Sequence, residues 1–307
     1  MIESREKIIK KKNRNRNLFI ACCITIPIIH WLIFYVYANL SSFLMAFTDA
    51  KGNLSTANFV RFYKEMTDPD STLRLAFRNT FLTFGILLVS YPFKVLVSYF
   101  IYKKIPGAAI YRVLFFLPRI LFAVCTAMMF TRVIGVNGFI AQKIGEWMNL
   151  ESTPELLADS RFANTVILLE MIWLGFPGDL IIWGGTFARI PEELLEAGRM
   201  DGTTWWQEFT KIIVPLVWPT VALQMVLLCC GVFSASGSVF LLTGGQYDTM
   251  TISAWQYITL LNSSGNRYTS NVYNYLSAVG MVLTIVAITL SLTVRKYTDK
   301  AFGEVDF

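Results

Sequence analysis

Charge is what this sequence has least of. Only 16% of its 307 residues are Asp, Glu, Lys or Arg, against about 25% in an average soluble domain. There is one histidine, His30, which leaves no basis for a zinc site or a Ser-His-Asp triad. Five cysteines, Cys22, Cys23, Cys125, Cys229 and Cys230, all stand in apolar segments and none in a C-x-x-C spacing, so they read as reduced, small hydrophobes. No G-x-x-x-x-G-K-[ST] phosphate loop occurs, so the chain itself carries no nucleotide-binding signature of that kind. What it does have is apolar residues: 54% of the chain, with a mean hydropathy of +0.50. A soluble core of this size cannot hide that much apolar surface, and disorder, a collagen-like fibre and a nucleic-acid-binding tail are excluded by the same composition. The solvent for most of the chain is lipid.

The distribution of charge agrees. Residues 17–48, 212–247 and 268–294 contain no Asp, Glu, Lys or Arg, and each interval exceeds the roughly 20 residues a helix needs to cross a bilayer. Six spans are expected, at about 18–46, 77–101, 112–134, 163–187, 213–241 and 274–294. The third and fourth are interrupted by Arg119 and by Glu170 and Asp179, but they are dense in Leu, Ile, Phe and Trp. Residues 1–17 carry seven Lys or Arg ahead of an apolar stretch of about 30 residues without a clean small-x-small cleavage site, which reads as an uncleaved first span. A short amphipathic helix in the interface is expected within the polar stretch 141–161. No internal repeat stands out, and no soluble segment is long enough to fold alone. With the N-terminus in the cytoplasm, the inside segments carry sixteen basic residues and the outside segments nine. That bias places both termini, and the polar insert 189–211, in the cytoplasm.

The insert holds the most specific pattern. Pro191 suits a helix start, and Glu192 and Glu193 follow at the positive end of the dipole. Leu194, Leu195, Ala197 and Gly198 make a low, apolar face, and Asp201-Gly202 stops the helix. A second helix from Thr203 or Thr204 brings Trp205, Trp206, Phe209, Ile212 and Ile213 back to the membrane. By physics alone this is either an interfacial helix pair without a partner or a docking element with a small-residue surface turned outward.

Glu196-Ala197-Gly198, three residues, Gly202, nine residues, then Ile212-x-Val214-Pro215 resembles the EAA loop of binding-protein-dependent ABC importer permeases. Gly198 stands where that pattern has a second Ala, and Val214 where it has Leu. Pro191-Glu192-Glu193-Leu194, Asn79-Thr80, Phe115-Phe116-Leu117-Pro118 and Leu242-Thr243-Gly244-Gly245 are similar to the sugar branch of that family, in the order of its maltose-type first permease subunit. The resemblance covers about 75–295. It implies an all-α, polytopic membrane protein of six transmembrane helices with the type I ABC importer permease fold. It divides the chain into 1–74 (N-terminus, first span and external segment), a permease core 75–295 with coupling loop 189–213, and a tail 296–307. It implies that Glu193, Glu196, Ala197, Gly198, Asp201 and Gly202 couple to a cytoplasmic ABC ATPase dimer, with a second permease subunit, an extracytoplasmic sugar-binding protein and a sugar or oligosaccharide as further partners. No cofactor, metal, catalytic residue or nucleic acid is expected. ATP hydrolysis would lie in a separate subunit, and the setting would be the cell membrane.

An ionisable group at bilayer depth marks a pathway or a buried partner. Asp179 lies ten residues before Arg189, about 15 Å in a helix, and follows Gly175-Phe176-Pro177-Gly178, which reads as a helix break of the kind that lines substrate cavities. It is expected either to line the path or to pair with Arg119. Lys94 and Arg119 read as snorkelling to the inner interface, and Glu170 as little constrained. Ser234 and Ser238 are four apart and are expected to share a face of the fifth span. Phe233, Ser234, Gly237 and Ser238, with Ser236, offer hydroxyls and an aromatic face to a sugar, or small residues for helix packing. Tyr275 would complete the lining or belong to an interfacial aromatic belt. A stand-alone secondary transporter or channel is the competing reading, but it lacks a repeat and coupling-ion residues; a membrane enzyme lacks a nucleophile and base.

The charge bias makes a testable topology. A reporter fused after Lys300 is expected to read cytoplasmic, and reporters at Gly52 or Gly265 external; an external signal at Lys300 would require an odd number of spans.

Overall fold

The computed structural model describes residues 2–49, 51–149, 152–234, 237–263 and 269–301; Ser236, Gly265 and Arg267 lie outside them. The described residues are helical, with no strand beyond one isolated bridge between Thr48 and Leu54. Six helical segments are long and apolar enough to cross a membrane: Arg16–Ala46, Thr72–Tyr102, Ala123–Trp147, Ala163–Phe187, Trp205–Cys230 and Asn271–Lys300. The chain forms two compact units, residues 1–63 with 263–282, and residues 64–262 with 283–307.

The first unit begins with α1 (Ile2–Trp31), a π-helical turn (Leu32–Tyr37) and α2 (Ala38–Ala46). The apolar window of this span has no buried residue, as expected of a helix whose solvent is hydrocarbon. After α2 the chain turns, and Asn58, in α3 (Ala57–Thr67), donates to the carbonyls of Ala46 and Thr48 at 3.1 and 3.0 Å. These are carbonyls that the helix end leaves free. Asp49 accepts from the amides of Asn53 and Lys51, and those bonds hold its carboxyl below its usual range.

The second unit is built on two long helices, α4 (Thr72–Tyr102) and α8 (Ala163–Phe187). Between them run α5 (Ala108–Ile120), α6 (Ala123–Ile134) and α7 (Phe139–Trp147). After α8 come α9 (Glu192–Met200), α10 (Trp205–Gln207), a π-helical stretch (Glu208–Ile213), α11 (Val214–Cys230), α12 (Gly237–Leu242), α13 (Ile252–Ser263) and α14 (Thr269–Ala301), the last of which is shared with the first unit. Of the stretch 141–161, residues 141–147 are helical as part of α7, which lies within the third candidate span Ala123–Trp147.

Three expectations are corrected. The stretch 112–134 is not one helix: α5 stops at Leu121-Phe122, where Thr126 Oγ1 donates to the carbonyl of Pro118 at 3.4 Å and so covers part of the opened end. The fifth span is also not continuous to 241, because α11 ends at Cys230 and Gly231. Conversely, α8 runs unbroken through Gly175-Phe176-Pro177-Gly178. Membrane helices tolerate proline where neighbours hold the turn, and here Phe176 stacks on Phe115 with ring centroids 4.8 Å apart.

The N-terminal ends of α4 and α8 hold a strained loop. Gly244, Gly245, Tyr247 and Asp248 all have positive φ, and the loop is pinned by side chains. Asn79 donates to the carbonyls of Asp248 and Met250 at 2.6 and 2.9 Å, Asn164 donates to Asp248 at 3.1 Å, and the amide of Ile252 donates to Thr80 Oγ1 at 3.0 Å. The Asn79-Thr80 and Thr243-Gly244-Gly245 signals in the sequence are thus two halves of one arrangement.

Between the two helices, Lys94 Nζ of α4 lies 2.9 Å from Asp179 Oδ2 of α8, both largely buried. The partner is Lys94, not Arg119, and Lys94 does not snorkel. Gly175 makes the pairing possible, since a methyl there would lie 2.9 Å from Lys94 Nζ. Removing one partner of such a pair strands the other at a cost of roughly 3–5 kcal/mol. Asp179→Asn and Lys94→Gln are each expected to lower yield and detergent melting temperature, and the double variant to recover most of both. A double variant as poor as either single one would show that the pair is not the unit of stability.

Candidate functional site

α9 and its return helix form a hairpin whose geometry follows from its turn residues. Pro191 is the N-cap rather than the first helical residue, and its carbonyl accepts from Leu194 at 3.2 Å. At the other end the amide of Thr203 donates to Gly198 and that of Gly202 to Arg199, both at 3.1 Å, which is a Schellman closure. Gly202 supplies the left-handed conformation it needs, at φ +74°. Thr204 then caps α10 in a reciprocal box with Gln207, so the return helix starts at the threonines the sequence indicated.

The hairpin is anchored by an aromatic core. Leu195 enters a buried cluster with Tyr91, Val95, Tyr99, Trp183, Phe187, Phe209 and Ile213. Gly198 is buried as well: a methyl there would fall 2.7 Å from Ile212, so its small size serves packing inside the chain. Glu193, Glu196, Ala197, Asp201 and Gly202 are exposed, and Met200 beside them is 88% exposed. Five of the six residues expected to couple to an ATPase therefore share the open surface, and the sixth faces in.

Sequence reading missed the charge that ties this hairpin to α4. Glu208 is 3% exposed and accepts from Tyr99 Oη at 2.9 Å and from Lys103 Nζ at 2.7 Å. Burial alone would lower Lys103, but its hydrogen bonds to Glu208 and Tyr99 outweigh that and hold the ammonium above its ordinary range. The available signal was Lys103 at the end of one apolar run and Glu208 inside an aromatic one.

The residues expected at the substrate lie in separate settings. Asp179 pairs with Lys94. Phe233 sits in the irregular stretch after α11, its ring 6.2 Å from Phe77 and 6.0 Å from Phe81. Ser234 is exposed in that stretch while Ser238 is on α12, so the two do not share a helix face. Glu170 is 2% exposed and has Oε2 unpartnered, with Ser238 close to its carboxyl; Glu170 is closely constrained, against expectation. It stands nine residues from Asp179 on α8, about 13 Å along the axis. Gly237 lines a cavity of about 230 Å³ with Phe240, Ala254 and Tyr257. Tyr275 belongs to the first unit, where its ring faces the Arg61 guanidinium at 4.0 Å.

No protein-family model matches the chain. Among curated proteins it is 21% identical over 278 residues to the multiple sugar-binding transport system permease protein of Streptococcus mutans, covering 90% of this chain and 93% of that one. It is 25% identical over 289 residues to the arabinooligosaccharides transport system permease protein of Bacillus subtilis, covering 90% and 87%. With the maltose/maltodextrin transport system permease protein of Vibrio vulnificus it shares 32% identity over 175 residues, 53% of this chain but 31% of that one. The chain thus spans about a third of the maltose relatives it matches. A bacterial ABC transporter involved in the import of the acidic polysaccharide alginate has a chain of the same fold, with TM-score 0.79, 21% identity and coverage of 94% and 98%.

The Glu208 anchor makes an asymmetric expectation. Lys103→Met leaves a buried carboxylate with only Tyr99, at a cost of roughly 3 kcal/mol. Glu208→Gln leaves Lys103 free to turn to water, at about 1 kcal/mol. Melting in detergent is expected to fall more for Lys103→Met, and the reverse order would refute the assignment.

Proposed function

We propose that this chain, whose relatives are permeases of sugar transport systems and whose fold is that of an ABC importer permease, is the transmembrane permease subunit of an ATP-driven importer of a sugar or oligosaccharide. The observation that carries the reading is the α9 hairpin. An amphipathic helix closed by Gly202 is held rigidly to α4 and α8 by Leu195, Phe209 and the Glu208–Lys103 pair, and it presents Glu193, Glu196, Ala197, Met200 and Asp201 to the outside. A helix so anchored transmits a push to the two central membrane helices. ATP is hydrolysed in a separate cytoplasmic ATPase dimer that docks on this surface, and the chain itself is not an enzyme. A second permease subunit completes the path, and an extracytoplasmic binding protein delivers the sugar. Both termini are cytoplasmic, and the membrane is the cell membrane. Asp179, Phe233, Ser234, Gly237, Ser238 and Tyr275 remain candidates for the lining, with the core 75–295 carrying transport.

Docking is tested at the hairpin. Glu196→Lys reverses a charge on the open face and is expected to abolish ATPase co-purification and uptake while the spans still insert. Gly202→Asp is expected to act the same way by adding bulk and charge at the turn. Gly202→Asn is the control, since Asn tolerates left-handed backbone better than most side chains and adds similar bulk without charge. Unchanged uptake in both charged variants would remove the coupling reading.

A further inference from the structure

The hairpin and the membrane helix it leads into are joined by an uncommon piece of backbone. Glu208–Ile213 is π-helical, and the amide of Val214 donates to the carbonyl of Phe209, five residues back. A π bond closes over one residue more than an α bond, so the stretch holds a surplus residue; such stretches are rare and occur often at functional sites. Pro215 follows at once in α11, and it has no N–H to offer the turn before it. The π-helical turn of the first unit, Leu32–Tyr37, has no buried residue. In Glu208–Ile213, by contrast, Glu208, Phe209 and Ile213 are buried.

The two sides of this stretch are tied to different helices. On the hairpin side Glu208 is bonded to Tyr99 and Lys103 at the end of α4, and α4 is held to α8 by Lys94 and Asp179. On the far side Trp218 Nε1 donates to the carbonyl of Thr298 at 2.8 Å, and Cys230 Sγ lies 3.4 Å from Ser291 Oγ. Near its start and at its end, α11 is therefore tied to the part of α14 that belongs to the second unit. Towards α4 and α8 it turns Val217 and Val221 into the buried cluster, and apolar contact has no preferred direction. A polar tie fixes register, whereas an apolar face leaves room to slide. The surplus residue stands where the chain passes from one tied pair of helices to the other.

We propose that Glu208–Ile213 is an adjustable joint: when an ATPase moves the hairpin, the surplus residue is taken up into α bonding, and α11 shifts with α14 against α4 and α8. The shift available is one residue of helix rise, about 1.5 Å, the size by which helices move in switching proteins. This deepens the permease reading and rests on it. It supplies that reading with a moving part, because α11 ends at Gly231 and leads there into the irregular stretch that holds Phe233.

The test uses the complete importer, purified through this chain with its bound subunits and placed in proteoliposomes with its binding protein. Amide hydrogen exchange is followed first in the wild type, without nucleotide and trapped with ATP and vanadate. Exchange across residues 208–214 is expected to differ about tenfold between the two states, as for a local opening that is gained or lost, while exchange in the middle of α4 and α8 stays the same. Equal exchange in the two states, or a change spread evenly over α4 and α8, would overturn the joint. The second arm deletes Lys211, which is exposed within the stretch, and so removes the surplus residue; Lys211→Ala keeps the length and controls for the lost charge. Uptake is read with maltotriose, xylotriose and galactotriose. The deletion is expected to keep complex yield and ATP hydrolysis and to lower uptake about tenfold to a hundredfold, the usual range of coupling between sites, while Lys211→Ala keeps uptake. Wild-type uptake in the deletion variant would overturn the joint. If that variant does not assemble, or if the wild type carries none of the three sugars, the exchange result decides alone. A wild type with no co-purifying ATPase removes the permease reading and the joint with it, whereas unchanged exchange with the ATPase bound removes only the joint.

Discussion

A charged group in hydrocarbon must find its opposite within the protein, and the second unit is arranged around one such meeting. Lys94 and Asp179 come from the two long helices and lie 2.9 Å apart. Their meeting requires that the helices pass closely at one depth, which Gly175 permits by offering no side chain at the point where the lysine crosses. The register of α4 against α8 is thereby fixed where the pair forms. Everything placed at their two ends, the pinned loop at one and the hairpin at the other, inherits that register.

At the N-terminal ends of α4 and α8 the fixed element is a backbone loop with four residues in left-handed conformation, held by Asn79, Thr80 and Asn164. At their other ends it is the hairpin, held by a buried aromatic cluster and by Glu208. The two ends are tied differently: at the loop, side chains of α4 and α8 satisfy backbone groups that the irregular chain cannot satisfy itself, while at the hairpin two side chains near the end of α4 satisfy a buried carboxylate. The helices are interrupted at Leu121-Phe122 and after Cys230, whereas α4 and α8 run unbroken.

The residues singled out beforehand divide by mechanism. Gly202 was legible because a helix stop before a turn needs a left-handed residue, and that need is local. Thr204 and the exposed glutamates were legible for the same reason. Gly198 was read as an outward small residue and turned out to face Ile212, because which face of α9 points in depends on where Leu195 anchors it. Pro177 was read as a break, yet the helix runs through it with Phe176 stacked on Phe115. Glu170 was passed over because it sits alone in the sequence, and its contact, Ser238, is far along the chain.

The sequence by itself determined the solvent, the six spans, the direction of the charge bias and the turn chemistry of the hairpin. All of these depend on composition, on run length or on residues within one turn of each other. Only the tertiary structure decided that Asp179 answers Lys94 and not Arg119, and that Glu208 holds the hairpin to α4. The reason is physical. A charge in lipid constrains the distance to its partner and says nothing about how many residues of chain lie between them.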